Sequence, residues 1–381
     1  MTRRRALFIT ICFVSYVAVL GLWSAFKPDR TLSDFENRVL AQFPSFTLEK
    51  LWNGKYTEQL ENYVVDQFIN RDMWVGIKAD LERWSGKQEN NQVFFGEKGY
   101  LFERFTASDQ MLQKNIEHIR RFAERQREHA NHLSLLLVPN AQTLYPEYLP
   151  RYASSTEQAQ EPMLKDIMGE LKGSITPISP IEQLKAHKEQ QDIYFHTDHH
   201  WTMRGAYYGY EAYAKALGLV PTPIEKLNSQ LLSEDFYGTY YTKANNRHVS
   251  PDKLEMLEPS LPPYTVCIEG EAACSNSFYH LEALKERDQY KIFFNGNFPV
   301  VNIHVEHSEK DKHRSIVVFK DSYANAFIPF LAQHYSDIQM IDLRYFQLNM
   351  DRYLAEHKVD DILLLYSVTT VAKDDIFKWL N

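Results

Sequence analysis

Cysteine is scarce in this chain: 381 residues hold three, Cys12, Cys267 and Cys274. A pair of neighbouring cysteines is too small a set for a structural zinc site, which takes four ligands. Positive charge is short as well. Lys and Arg number 42 against 50 Asp and Glu, a formal net charge of -8. A protein that wraps nucleic acid needs a basic surface to neutralise phosphate, so nucleic acid is not an expected partner. The sequence also lacks internal repeats and low-complexity tracts. With 44% hydrophobic and 24% charged residues, intrinsic disorder and fibrous repeats are excluded. The length allows two or three domains, or one decorated α/β domain. Aromatics reach 14%, enough for a core or for a carbohydrate-facing cleft, and composition does not separate the two uses.

What is present begins at the N-terminus. Arg3, Arg4 and Arg5 precede an uncharged run from Ala6 to Phe26, 21 residues long, closed by Lys27 and Pro28. About 20 apolar helical residues cross a bilayer core. A cleaved signal peptide is the rival reading, but Leu22, Trp23 and Phe26 put bulky side chains where cleavage needs small ones. The expectation is an uncleaved single-pass anchor in a cell membrane. Basic residues before the span keep the N-terminus cytoplasmic and place everything from Lys27 onward outside. In that oxidising compartment Cys267 and Cys274 read as a disulfide closing a small loop, with two free thiols as the alternative.

Three regions follow: the anchor over 1–27, a membrane-proximal stalk with helices and a hairpin over 28–105, and an α/β domain over 106–381. In the second, Tyr56 to Phe68 has apolar residues at helical spacing, and Val93 to Phe102 (VFFGEKGYLF) reads as a glycine-turned hairpin. In the third, an amphipathic helix over Gln110 to Ala130 precedes short apolar runs at Leu133–Val138, Ser315–Phe319, Ile338–Leu343 and Asp361–Tyr366. Continuous apolar strands separated by helices predict a parallel sheet covered on both faces. Ligands then bind beyond the carboxyl ends of the strands, which singles out Asn140, Lys320 to Tyr323, Arg344 and Ser367. A proline-rich stretch of poor periodicity, about 219–312, reads as an insertion of long loops beside the site.

The densest cluster is Tyr194-Phe195-His196-Thr197-Asp198-His199-His200-Trp201-Thr202, ahead of a helix over Met203 to Leu217 that Thr202 is suited to cap. Such a cluster fits a metal site, an acid/base pair or a plain polar loop. The cluster lies in a loop rather than on a helix, where i, i+4 spacing would turn two imidazoles one way. The preferred reading is an Asp and a His acting as orienter and general base, with no metal and no cofactor. The nucleophile best placed to serve that base is Ser322, on a strand-to-helix turn between Ser315–Phe319 and a helix-like run from Ala324 to His334. A serine in that position is also a common helix N-cap.

The string Thr197 to Thr202 (TDHHWT), with Gly205-Ala206-Tyr207 and Lys320 to Asn325 (KDSYAN), resembles the DHHW protein family. That family is similar in turn to the SGNH-hydrolase-like (flavodoxin-like) domains of alginate O-acetyltransferases of the AlgJ and AlgX type. The likeness extends to Glu36-Asn37-Arg38, Asp66-Gln67-Phe68, Gly96 to Phe102, Val138 to Asn140, Tyr145 to Pro150 and Asn295 to Asn297. It implies that Asp198 is the orienting acid, His200 the base and Ser322 the nucleophile. It further implies that His199 orients the loop or contacts substrate, that Trp201 and Tyr323 lie at the substrate site, and that Asn297 or Asn325 joins the Ser322 N–H as an oxyanion donor. Nothing at Lys378 to Asn381 resembles the carbohydrate-binding module that one of the alginate proteins carries.

The resemblance implies acetyl transfer outside the membrane, through an acyl-serine, onto a surface or exported polysaccharide, with a membrane-bound O-acyltransferase as donor partner. The alternatives are a serine esterase that deacylates glycans and a non-catalytic scaffold or glycan-binding protein. Tyr207, Tyr208, Tyr210 and Tyr213 read as packing, while Tyr237, Tyr240 and Tyr241 are equally suited to sugar stacking. Arg344 would meet an anionic glycan or pair with a nearby carboxylate.

Overall fold

The computed structural model describes residues 3–33, 36, 38–153, 160–307, 314–346, 348–357 and 359–381. Asn37, quoted in the resemblance, lies outside them. The chain divides into two compact units: 1–90 with 245–248, and 91–244 with 249–381.

The first unit opens with a helix over Arg3–Phe26 that buries none of its residues. It is long and apolar enough to cross a membrane. The stalk expected after it carries a strand pair, Leu32–Ser33 with Arg38–Val39, and helices Leu48–Trp52, Lys55–Asp66 and Arg71–Trp84. Ion pairs organise this segment. Arg38 grips Asp66 with Nη1 to Oδ2 at 2.9 Å, Asp66 Oδ2 also accepts the Ala41 N–H at 2.8 Å, and Arg71 Nη1 meets Glu36 at 2.7 Å. Gln67 bonds both ways with Arg30, donating to its carbonyl and accepting its N–H. The Glu36, Arg38, Asp66 and Gln67 signatures are therefore clamps of this unit.

The second unit is built on one seven-stranded sheet: β1 His132–Val138, β2 Thr176–Ile178, β3 Tyr264–Ile268, β4 Val300–Val305, β5 Ser315–Lys320, β6 Asp337–Ile341 and β7 Asp361–Ser367. Across the sheet they run β3-β4-β6-β5-β7-β1-β2. The pairings β6-β5, β5-β7, β7-β1 and β1-β2 are parallel, while β3-β4 and β4-β6 are antiparallel. Among the five parallel strands the chain moves from β1 outward to β2 on one side and from β5 outward to β6 on the other, and the ligand crevice of a doubly wound sheet opens between such opposed turns, here around β5, β7 and β1.

Alternation along these strands sorts two cores. Leu135, Leu137, Val317, Phe319, Ile362 and Leu364 face one side, where Ile116, Ile119 and Phe122 of the helix Asp109–Gln126 cover them. Leu136, Val138, Ile316, Val318, Leu363 and Leu365 face the other, under the helices Met203–Leu217 and Ala324–Leu331. Tyr207, Tyr208, Tyr210 and Tyr213 are buried there as packing.

Two expectations change. The stretch 219–312 is more than loops: it supplies β3 and β4 and a separate hairpin, Asn228–Phe236 with Asp252–Glu258. Polar residues interrupt these strands, so apolar continuity does not mark them. The strands Val93–Phe95 and Leu101–Glu103, grouped by sequence with the stalk, belong to the second unit, where Val93 and Leu101 pack on Tyr240 and Ala244. Cys267 and Cys274 are disulfide-bonded. The backbone bonds between Val266 and Ser275, at 2.7 and 2.8 Å, close the same small loop.

Candidate active site

Positions at the carboxyl ends of four strands converge on one cavity of about 150 Å³, lined by Asn140 after β1, Asp321 to Tyr323 after β5, Arg344 after β6 and Ser367 closing β7. His199 and Tyr240 complete its wall, with Arg104, Phe105 and Lys373 among the remaining lining residues.

Ser322 is half-buried, on the turn between β5 and the helix Ala324–Leu331. Asp321 shapes that turn. Its Oδ1 accepts the Tyr323 N–H at 3.0 Å, and its Oδ2 accepts the Ser367 N–H and the Thr370 hydroxyl, each at 2.8 Å. The nucleophile turn is thereby tied to the end of β7. The Ser322 carbonyl accepts from the Tyr290 hydroxyl at 3.3 Å. Among the described residues its N–H meets no acceptor.

The polar loop lies opposite. His200 Nδ1 stands 2.6 Å from Asp198 Oδ2, and His200 Nε2 stands 2.7 Å from Ser322 Oγ. An Nδ1–H donated to the carboxylate leaves Nε2 to accept the seryl proton, the geometry by which a hydroxyl is activated for attack. Asp198 is held from two sides: its Oδ1 accepts the Thr239 N–H at 2.8 Å, and Gly238 packs against its side chain. Asp252 holds the start of the loop, taking the His196 and Thr197 N–H groups at 2.8 Å each. The Tyr290 ring stacks on His200 with centroids 3.8 Å apart.

Burial opposes charge on Asp198, yet the imidazoles of His199 and His200 outweigh it and hold the carboxyl well below its ordinary range. For His200, burial and the neighbouring His199 prevail over Asp198, and its pKa is pushed down to about 4. His200 is thus neutral at neutral pH, as a base must be. His199 is also penalised by burial, but Asp198, with Nδ1 to Oδ1 at 3.3 Å, raises its pKa. Asp198, His199 and His200 bring their ligand atoms within 4.8 Å of one another, close enough to hold a metal ion. The carboxylate oxygens are already engaged by the two rings and the Thr239 N–H.

The other expected site residues divide. His199, Tyr323 and Arg344 line the cavity. The Arg344 guanidinium takes the carboxylate option, with Nε 2.8 Å from Asp342 Oδ1, and this pairing raises its pKa against the effect of burial. The Tyr323 hydroxyl donates to the His199 carbonyl. Asn297 and Asn325 do not line the cavity: their amide oxygens accept from buried Lys320 Nζ at 2.6 and 2.9 Å. Burial pushes the Lys320 ammonium down to about 8. Trp201 is fully buried and absent from the cavity wall, its Nε1 donating to the Tyr323 carbonyl at 3.0 Å. It ties the loop to the nucleophile turn. Sequence reading missed Gly238, Asp252 and Tyr290 as site residues, and it placed Asp321 after a strand without giving it a role.

A serine, an imidazole and a carboxylate joined at the carboxyl edge of an open α/β sheet define the arrangement found in acyl-transferring and ester-cleaving proteins. Residues 156–341 match the family described as DHHW protein, a range that contains Asp198, His199, His200, Trp201 and Ser322. A relative from Pseudomonas syringae pv. tomato named "Probable alginate O-acetylase AlgJ" is 27% identical over 225 residues, 57% of this chain and 53% of the relative. The chain thus spans about half of that protein's length. In fold it resembles a DHHW family protein from Eubacterium siraeum, with a TM-score of 0.65, 21% identity, and coverage of 77% of this chain and 95% of that one. It also resembles Bacillus cereus PatB1, with a TM-score of 0.63, 21% identity, and coverage of 75% and 99%.

Proposed function

We propose that this chain is a membrane-anchored, extracytoplasmic O-acetyltransferase of the SGNH-hydrolase-like kind, which moves acetyl through an ester of Ser322 onto a polysaccharide hydroxyl. The observation that carries the reading is His200 bridging Asp198 and Ser322 at 2.6 and 2.7 Å. Ser322 Oγ attacks the acetyl carbonyl carbon while its proton passes to His200 Nε2. Asp198 holds the resulting imidazolium, and the Ser322 N–H is the first oxyanion donor. Collapse expels the donor's leaving group, which takes the proton from Nε2. An acceptor hydroxyl then gives its proton to His200 as its oxygen attacks the acyl-serine, and Ser322 Oγ leaves and is reprotonated.

The name of the Pseudomonas relative supports an exported polysaccharide as acceptor. The apolar helix Arg3–Phe26 supports retention at the membrane beside an acetyl-donating O-acyltransferase. Water in place of the sugar hydroxyl makes the same machinery an esterase. The test is turnover of a chromogenic acetyl ester by the full-length protein and by Ser322→Ala, with and without a polysaccharide acceptor, followed by intact mass. Acetyl on Ser322 that is chased onto the acceptor is expected. Acetate release at one rate regardless of acceptor would make the protein an esterase, and a folded wild type that never acylates from any acetyl donor would leave a scaffold.

A further inference from the structure

The helix Arg71–Trp84 turns its faces the reverse of what a soluble unit requires. Its polar side faces its own unit: Asp80 Oδ1 lies 2.9 Å from His248 Nε2, and the Asp72 carbonyl accepts from Arg247. Gly76, on the same side, lies buried under the Arg247 guanidinium. The apolar side faces outward. Met73, Ile77 and Leu81 recur every four residues and Trp84 follows three later, with exposures of 42, 42, 58 and 87%. Trp74 lies beside them. A continuous exposed apolar stripe of this kind marks a surface that something covers.

The chain itself indicates what covers it. The Ile69 N–H donates to Ser24 Oγ at 2.9 Å, in the last turn of the apolar helix Arg3–Phe26, and Trp74 Nε1 donates to the Ile69 carbonyl at 3.1 Å. Arg71–Trp84 therefore starts beside the end of the candidate span. A 14-residue helix is about 21 Å long, and this one carries a tryptophan near each end. Indole, an apolar ring with one donor, settles at the lipid–water interface. We propose that the Met73–Ile77–Leu81–Trp84 face lies on the bilayer surface from which the span emerges, as an interfacial helix that holds the membrane-proximal unit flat against lipid. The inference rests on the reading of Arg3–Phe26 as a retained anchor.

The test uses the full chain in phosphatidylcholine–phosphatidylglycerol vesicles, with a nitroxide at Leu81→Cys, Ile77→Cys or Lys78→Cys in a Cys12→Ser background, and a separate sample labelled at native Cys12. The expected result is that dissolved oxygen outcompetes an aqueous nickel chelate as relaxant at 77 and 81, that the order reverses at 78, and that Cys12 reports lipid. A lipid signal at Cys12 with the chelate winning at 77 and 81 overturns the interfacial helix and leaves the anchor. Loss of the lipid signal at Cys12 removes the anchor and the proposal with it. Access by neither relaxant at 77 and 81 means that protein, a second copy or another chain, covers the stripe, and that too overturns the proposal.

Discussion

A β-carbon placed on Gly238 would stand 2.2 Å from Asp198 Cβ and 2.6 Å from its Cγ. No pair of non-bonded carbons approaches so closely, so the backbone at 238 closes directly against the acid that orients His200. Gly238→Ala must push Asp198 off His200 Nδ1. The expected result is a kcat loss of roughly 100-fold or more, since misplacement of about 1 Å costs that much, together with about 1–3 kcal/mol of stability for an overpacked site. Steady-state kinetics and a thermal melt check both; an active, equally stable variant contradicts the contact.

Asp198→Asn keeps the shape and removes the charge. With the wrong tautomer of His200 favoured, kcat is expected to fall about 10⁴-fold, as in other triads of this geometry. Acylation of Ser322, followed by intact mass in single turnover, reads the step directly.

Activity should extend unusually far into acid. His200 must be neutral to accept the seryl proton, and its pKa is pushed down to about 4 rather than the ordinary 6.5. The neutral fraction is full above that value and falls as the pH drops through it, so the acid limb of kcat/KM is expected near pH 4. Part of the depression comes from the charge of His199. His199→Gln should therefore move the limb upward. A limb near 6.5 in the wild type, or no movement in the variant, sinks this account.

Asp321→Ala strips the acceptor from the Tyr323 and Ser367 N–H groups and from the Thr370 hydroxyl. Each buried donor left unpaired costs about 1–3 kcal/mol. The melting temperature should fall and acylation slow together, whereas a variant that loses activity alone would argue that Asp321 meets substrate.

The sequence by itself determined much of the frame. Continuous apolar runs at 133–138, 315–319, 338–343 and 361–366 became four of the parallel strands because full burial on both faces admits few other residue types. The same pattern placed Asn140, Ser322, Arg344 and Ser367 at one edge, where all four line one cavity. Asp198, His200 and Ser322 were legible because acid, base and nucleophile chemistry restricts residue type and the motifs that carry them are short. The edge strand β3 and its neighbour β4 were not legible, since polar and apolar residues mix along them.

Only the tertiary structure decided which asparagines meet the site. Asn297 and Asn325 look like oxyanion donors by type, but buried Lys320 needs acceptors and takes their amide oxygens. Trp201 likewise sits beside the base in sequence and packs away from the cavity, with its indole N–H spent on the Tyr323 carbonyl. Gly238, Asp252 and Tyr290 reach Asp198, the His196–Thr197 backbone and His200 from 40 or more residues away in a stretch of poor periodicity. Local patterns encode an element's own burial and cap. Contacts between distant segments depend on chain closure, which no single window of sequence contains.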